Sequence, residues 1–420
     1  MGKKPFTRNG LPHSKLRALV LATTAPDGTS QCQTGSTNWT LRLCKTLYHH
    51  HRVTLVTPPP VNEPWILNSS ITVLGHEVTD SGRRFVRFLK CLALGVYPSV
   101  WTLYSKLTSA YLQNIRAGEY DICWLLDDYA GIYLRDIPHH LPTIFVRHYL
   151  FSMQKDFTGG NLSTIGRMKA AFHKRTANSF DKWTTQRANM VTLGTKESAR
   201  FLQNRFPLNR IEYLPTKPAH LPCPTNTKRL VQSPEPEERL VAIFLADMSF
   251  VRNAEGASWF LREVLPLILV DVRSQFHFQF IGRKPDPIPD IRKLPSGSSV
   301  EFAGFVPNLE LALHSAQAAF IPIFGGNGIR VKTLTLLGTG LPTVSTLDAL
   351  EGLDVRDEKE VLIANDANSF AKAFEKLLEA SLRIHLHNQA LEYMGKFLGE
   401  EEDAELLLRH SQTAIASSSK

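Results

Sequence analysis

Short apolar runs alternate with helix-length amphipathic stretches in two separate series, and this alternation constrains the chain more than any other feature. The first series has strand-like runs at Leu16–Ala22, Arg52–Thr57, Ile71–Leu74, Asp121–Leu126, Pro142–Val146 and Met190–Leu193, with helical stretches such as Asn38–Tyr48 between them. Runs that are apolar throughout read as strands buried on both faces, and their alternation with helices predicts a parallel sheet covered on each side. The second series places strands at Leu240–Leu245, Phe276–Ile281, Val300–Ala303, Ala318–Ile323 and Pro342–Ser345. Its helices are expected at Ala254–Leu269, Asn308–Ser315 and Val331–Leu337, followed by Ser369–Ala380 and Leu386–Phe397.

Between Pro215 and Glu238 the chain turns polar and proline-rich, with no apolar period, as an interdomain connection does. At 420 residues the chain exceeds what one core usually serves, so two α/β domains are expected. The boundaries read as a first Rossmann-like domain over 15–216, a linker over 217–239 and a second Rossmann-like domain over 240–385. A C-terminal helix over 386–410 and a polar tail over 411–420, expected to fray, complete the chain. Open parallel sheets bind ligands beyond the carboxyl ends of their strands, so the cleft between the two domains is the default site.

The net charge of +9 permits nucleic acid, anionic lipid or phosphate-bearing partners. No zinc-finger or RNA-recognition pattern and no long basic run is present, which argues against nucleic acid. Arg83–Lys90 interleaves basic and apolar residues; it reads equally as a contact with an anionic membrane and as a solvated helix face. The apolar stretch Phe85–Leu94, interrupted by Arg87 and Lys90, is too short to span a bilayer, and the basic N-terminus is not followed by a leader's apolar region. The five cysteines are odd in number and lack metal-ligand spacing, so neither a disulfide framework nor a zinc site is expected. A cytoplasmic protein, free or at the cytosolic membrane face, is the expectation.

The segment Phe320–Lys332 carries the strongest chemical signal. A buried strand runs into a turn containing Gly325, Gly326, Asn327 and Gly328, then into a helix led by Ile329, Arg330 and Lys332. Backbone N–H groups at such a turn face whatever sits above it, and two cations beside them suit a diphosphate. A plain glycine turn with two solvated basic residues fits the same letters. His148 follows the strand Thr143–Val146 at its carboxyl end, where function concentrates, though an ordinary loop histidine fits as well. Gly35 and Ser36 read as a loop that lets a ligand approach the backbone, or as a simple turn. Asp127 and Asp128 suggest a metal pair, but neighbours at a strand end point apart and no third ligand follows; no metal site is expected.

The second series resembles the family-4 glycosyltransferases, also called glycosyl transferases group 1, from about Leu240 to Ala380. The resemblance rests on Phe244–Asn253, Trp259-Phe260, Glu263–Pro266, Phe280–Arg283 and Val300–Val306. Gly328–Lys332, Gly340–Thr346 and Glu351-Gly352-Leu353 complete it in order. The first series is similar through Gly35-Ser36, Tyr120–Ile122 and Arg147-His148. The resemblance implies the GT-B fold, two doubly wound Rossmann-like domains facing across a cleft, with the acceptor on the first domain and a nucleotide sugar on the second. It implies transfer with retention and without a metal or other cofactor. It places His148 against the donor sugar, and Gly328, Ile329, Arg330 and Lys332 at the diphosphate, with Gly35, Gly326 and Asn327 in the donor site. Gly282, Arg283 and Phe305 would lie near the base, and Arg252 would hold phosphate. The family's two acids fall here at Asn327 and Thr335, and a threonine hydroxyl holds a ribose hydroxyl more weakly than a carboxylate does.

The expected function is therefore transfer of a hexose or related sugar to a glycan or lipid-linked acceptor, in polysaccharide or glycolipid assembly. A catalytically inactive protein of the same fold, acting as partner or chaperone of an active transferase, is the alternative that Thr335 supports. A sugar-nucleotide epimerase would need proton-moving carboxylates near Gly325–Lys332, and none is evident.

Overall fold

The computed structural model describes residues 15–23, 35–58, 72–75, 104–153, 164–227, 230, 239–285, 293–325 and 328–418. The basic segment 83–90 and the loop residues Gly326 and Asn327 lie outside them.

The first sheet holds β1 (Arg17–Ala22), β2 (Arg52–Thr57), β3 (Thr72–Gly75), β4 (Ile122–Leu126), β5 (Thr143–Arg147), β6 (Met190–Leu193) and β7 (Ile211–Tyr213). Its strand order is β3-β2-β1-β4-β5-β6-β7, all parallel. Every residue of β4 and β5 is buried, as a strand covered on both faces requires. The helices of this domain are α1 (Gly35–His50), α2 (Lys106–Gln113), α3 (Thr164–Arg187) and α4 (Lys196–Arg205). Gly35, expected in a loop, is the first residue of α1. Ser105 and Thr195 cap α2 and α4 by accepting from Thr108 N and Ser198 N.

The second sheet holds β8 (Leu240–Leu245), β9 (Phe276–Ile281), β10 (Val300–Gly304), β11 (Ala318–Ile321), β12 (Thr343–Ser345) and β13 (Leu362–Ile363). Its order is β10-β9-β8-β11-β12-β13, again parallel. Phe244, Phe260, Phe278, Phe280, Phe320 and Phe374 fill its core, with Phe260 and Phe320 ring centroids 4.4 Å apart. Around it lie α5 (Val251–Trp259), α6 (Val270–Arg273), α7 (Leu309–Ser315), α8 (Val331–Gly338), α9 (Ala367–Lys376) and α10 (Ala380–Phe397). The expected helix Ala254–Leu269 is broken. It starts at Val251, passes into a π turn over Phe260–Val264 and ends in a 3-10 turn over Leu265–Leu267, because Pro266 has no N–H to extend the ladder.

The final helix, α11 (Glu400–Ser418), corrects the expected fraying tail. Leu407, His410, Ser411 and Ala414 are buried, and Leu407 and Ala414 join the core of the first sheet with Val20 and Trp124. Their spacing of three and four residues makes one buried stripe, which packs on α1 and β5. The crossing segment is also pinned: Asn38 Oδ1 accepts from Ala219 N at 2.8 Å and His220 N at 3.0 Å.

Strand order reverses between β1 and β4 in the first sheet and between β8 and β11 in the second. The crevices at these switch points lie beyond the carboxyl ends of the strands, and the candidate residues gather there.

Candidate functional site

In the second domain, β11 leads through Pro322, Ile323, Phe324 and Gly325 towards Gly328 and α8. Gly325 and Gly328 have φ of +68° and +95°, which explains glycine at both places. A Cβ at Gly328 would stand 3.0 Å from the His148 carbonyl oxygen, so the two domains meet there through bare backbone. The Gly325 N–H donates to Asp348 Oδ2 at 2.6 Å. Glu351, whose pKa is raised by burial, accepts from Gly328 N.

Arg330 sits just before α8 and donates to the carbonyl oxygens of Gly325 and Asp348. It thus clasps the loop shut, and burial lowers its pKa. Lys332 reaches the start of α5, where Nζ donates to Asn253 Oδ1 at 2.6 Å. Burial, then the Arg330 charge, brings the Lys332 pKa down to about 7, against the opposing pull of Asp247. Asn253 is itself held by donating to the Asp247 carbonyl at 2.6 Å. Arg252 precedes Asn253 and acts on Arg330 as a like charge. Arg252, Arg330 and Lys332 therefore converge beside the glycine turn, where an anion would relieve their mutual repulsion.

Thr335 is buried one turn along α8, and its hydroxyl donates to the Val331 carbonyl at 3.0 Å. The hydroxyl proton is thereby spent on the helix, leaving only acceptor capacity for a ligand. Gly282 directly follows β9 with φ of +122°, and a Cβ there would collide with the Ala246 carbonyl. Arg283 and Phe305 follow β9 and β10 and stand 73% and 71% exposed, open to solvent at the rim. Gly35 lies at the N-terminus of α1.

Across the cleft, β4 is followed by Asp127 and Asp128, whose side chains diverge as neighbours at a strand end should. Asp127, at φ +114°, accepts from Thr23 N and Oγ1, both at 2.7 Å, and from Tyr129 N and Ala130 N. Burial raises its pKa to about 6. Asp128 Oδ2 lies 3.0 Å from His148 Nδ1, and its Oδ1 lies 3.6 Å from Nε of the fully buried Arg147. Arg147 Nη2 in turn donates to Asp181 at 2.6 Å. The His148 ring rests edge-on against Trp39 at 4.1 Å, and its Nε2 is buried with no hydrogen-bond partner.

The structure thus brings His148, Gly328, Ile329, Arg330, Lys332 and Arg252 to the cleft and sets Arg283 and Phe305 at its rim. Trp39, Asn253 and Glu351 complete the site without having been singled out from sequence for a role, and Asp128 joins them, having been weighed only as half of a metal pair. Asp128 carried a signal, the paired aspartates, but a histidine partner was not visible in it. Among the described residues, no three His, Cys, Asp or Glu side chains converge as a metal site would require, and no helix is long and apolar enough to cross a membrane.

Residues 239–380 match the family model Glycosyl transferases group 1. An uncharacterized 44.6 kDa protein in the cps region of Klebsiella pneumoniae is 24% identical over 136 residues, which is 31% of this chain. The matched stretch spans only 35% of that relative's length. Among solved structures, the chain resembles sucrose-phosphate synthase from Thermosynechococcus elongatus, with a TM-score of 0.60 at 14% identity over 96% of this chain and 100% of that one. It also resembles α,α-trehalose 6-phosphate synthase from Burkholderia multivorans, with a TM-score of 0.62 at 10% identity over 97% and 98% of the two chains. HepE of Anabaena, solved with UDP-glucose, matches with a TM-score of 0.58 at 12% identity over 96% and 100%. At these identities the likeness establishes the GT-B fold.

Proposed function

We propose, from the match of residues 239–380 to the group 1 glycosyl transferase family model, that this GT-B protein moves a sugar from a nucleotide diphosphate donor to a glycan or lipid-linked acceptor. The observation that carries this reading is the buried Lys332, held at Asn253 beside Arg330 and the Gly325–Gly328 turn, directly across from the His148 backbone.

The diphosphate would rest against Lys332 and Arg252 at the α8 end of the turn, with Arg330 keeping the loop in shape through Gly325 and Asp348. These cations would meet the charge that develops as the anomeric carbon–oxygen bond breaks. In transfer with retention, the acceptor oxygen bonds to the anomeric carbon on the face the diphosphate leaves, and its proton passes to the departing phosphate oxygen. The buried, unpartnered Nε2 of His148 would accept from a donor-sugar hydroxyl once the donor displaces what covers it. Closure of the domains would exclude water from this step. Binding of UDP-glucose by a protein of the same fold supports a nucleotide sugar, and the relative in a cps region supports polysaccharide or glycolipid assembly. Metal independence, the hexosyl donor and work at the cytosolic membrane face belong to the same proposal.

Calorimetric titration with UDP, GDP, ADP and dTDP tests the reading. One nucleotide is expected to bind, with affinity falling at least about thirtyfold in Lys332→Ala, because a buried charge partner is lost. No binding across the panel would instead support the non-catalytic alternative, in which Thr335 replaces the acid that would hold ribose.

A further inference from the structure

A cavity of about 430 Å³ opens between α5, Phe324 and the start of α9. Arg252, Glu255, Gly256 and Trp259 face it from α5 at helical spacings of three, four and seven, so they form one stripe. Asn253, which holds Lys332, lies off that stripe. Helix α5 therefore serves two places at once, the phosphate turn through Asn253 and this cavity through the adjoining face. A side chain at Gly256 would collide with the Pro322 carbonyl, so helix and loop pack backbone to backbone and fix the cavity's inner wall.

The hydrogen-bonding groups in the cavity are not equally occupied. Asn365 Oδ1 accepts from Leu347 N at 2.8 Å, and the Asp366 carboxylate accepts from Ser369 N at 2.9 Å and Ser369 Oγ at 2.7 Å. Glu255 Oε2 is buried and accepts nothing. A buried carboxylate oxygen without a donor is costly, and turning the Glu255 side chain into the cavity to meet a ligand hydroxyl would remove that cost. Trp259 and Phe324 meet edge to face, 4.8 Å apart, and supply an apolar aromatic surface beside the carboxylate. Arg252 disfavours a cationic ligand, and Glu255 with Asp366 disfavours an anionic one. A neutral ring with hydroxyls at its edge and C–H groups on its faces satisfies all of these walls, and the volume lies in the range of small-molecule sites.

We propose that this cavity is a monosaccharide-binding site distinct from the diphosphate cradle, in which Glu255 accepts a sugar hydroxyl and the ring lies against Trp259 and Phe324. Arg252 is the one residue it shares with the cradle, so the site stands whether or not the chain binds a nucleotide.

Saturation-transfer NMR on the full chain with free glucose, galactose, mannose and N-acetylglucosamine tests it, alongside the nucleoside diphosphate titration. Ala367, at the rim on α9, is changed to Phe to fill the cavity, and Glu255→Gln keeps its volume while removing the charge; thermal melting checks that both variants fold. At least one sugar is expected to receive saturation from the native chain, to bind at least about tenfold more weakly to Ala367→Phe and to weaken in Glu255→Gln, with nucleotide affinity unchanged in Ala367→Phe. Absence of transfer to every sugar, or equal transfer in native and Ala367→Phe, overturns the proposal. Failure of nucleotide binding alone would overturn the donor reading and leave the cavity to be decided by the sugar arm.

Discussion

His148 Nδ1 lies 3.0 Å from Asp128 Oδ2, and this contact decides which ring atom the cleft meets. An ionised carboxylate only accepts, so Nδ1 carries the proton and a neutral imidazole keeps a lone pair on Nε2. Asp128 is itself fixed, since its other oxygen accepts from Tyr149 N at 3.4 Å and faces Arg147 Nε at 3.6 Å. Trp39 sets the plane of the ring. The chain thus orients one histidine atom through a carboxylate whose own position is set by a buried arginine.

Asp128→Asn should separate orientation from binding. The amide can donate to Nδ1 and stabilise the opposite tautomer, with the proton on Nε2. Sugar transfer is expected to fall by roughly a hundredfold to ten-thousandfold, as when a comparable orienting carboxylate is lost, while nucleotide affinity changes by less than about threefold. Turnover assays paired with nucleotide titration measure both. An equal loss in the two would make Asp128 a prop of the fold and no more.

Lys332 should draw in a proton when an anion binds. With its pKa held to about 7 by burial, the amine is largely unprotonated at pH 8 in the free protein, and a diphosphate beside it raises the pKa again. Titration calorimetry in buffers of different ionisation enthalpy should show uptake of about one proton at pH 8 and little at pH 6. The difference between native and Lys332→Ala isolates the lysine from the phosphate's own titration. A difference near zero at pH 8 would remove Lys332 from the phosphate site.

Gly328→Ala should loosen the contact between domains. The residue's φ of +95° disfavours a side chain, and the new Cβ would press on the His148 carbonyl oxygen 3.0 Å away. A cost of roughly 1 to 3 kcal/mol is expected, read as a lower melting temperature together with reduced turnover. Melting unchanged from native would show that the domains do not close at this point in solution.

Much of this was legible before the fold was known, and the pattern of what was missed is physical. Strands such as Thr143–Arg147 announce themselves because burial on both faces leaves no polar alternation, and Gly325 and Gly328 because their backbone angles exclude other residues. Asn253 stayed hidden because Lys332 finds it 79 residues away, through a side-chain contact across the fold rather than any local spacing. Arg330 carries the charge that marks a phosphate ligand, yet its guanidinium turns inward to carbonyls of its own loop. The last helix misled for the opposite reason: Ser411 and its neighbours read as polar, and only the return of the chain to the first domain buries them.

That return is fastened at Asp403, which accepts from Arg42 Nε at 2.9 Å and from Lys217 Nζ at 2.5 Å. Asp403 thus ties α1 and the crossing segment to the first turn of α11, and Arg42 also holds the turn before it by donating to the Leu398 carbonyl. Asp403→Ala leaves two largely buried cations unpaired and is expected to cost about 3 kcal/mol, near the low end for a broken buried pair because water still reaches the site. Chemical denaturation followed through the first domain measures it; a cost below about 0.5 kcal/mol would class the cluster with surface ion pairs.

Acid should undo the same attachment. His51 and His410 are buried where α1 and α11 pack, and burial lowers both pKa values to about 4. His51 Nε2 lies 3.3 Å from Ser411 Oγ, whereas both ring nitrogens of His410 lack partners. The unfolded chain protonates these rings near the ordinary histidine value of 6.5, so between pH 6.5 and 4 it binds more protons than the folded chain. Stability is therefore full above pH 6.5 and falls as the pH drops towards 4, with α11 the first element to be released. Hydrogen exchange at pH 7 and pH 5 should show protection of 403–418 lost ahead of the β4 and β5 core, and His410→Leu, which keeps the ring's volume apolar, should retain more of it at pH 5. Equal loss of protection in His410→Leu would assign the acid sensitivity to other groups.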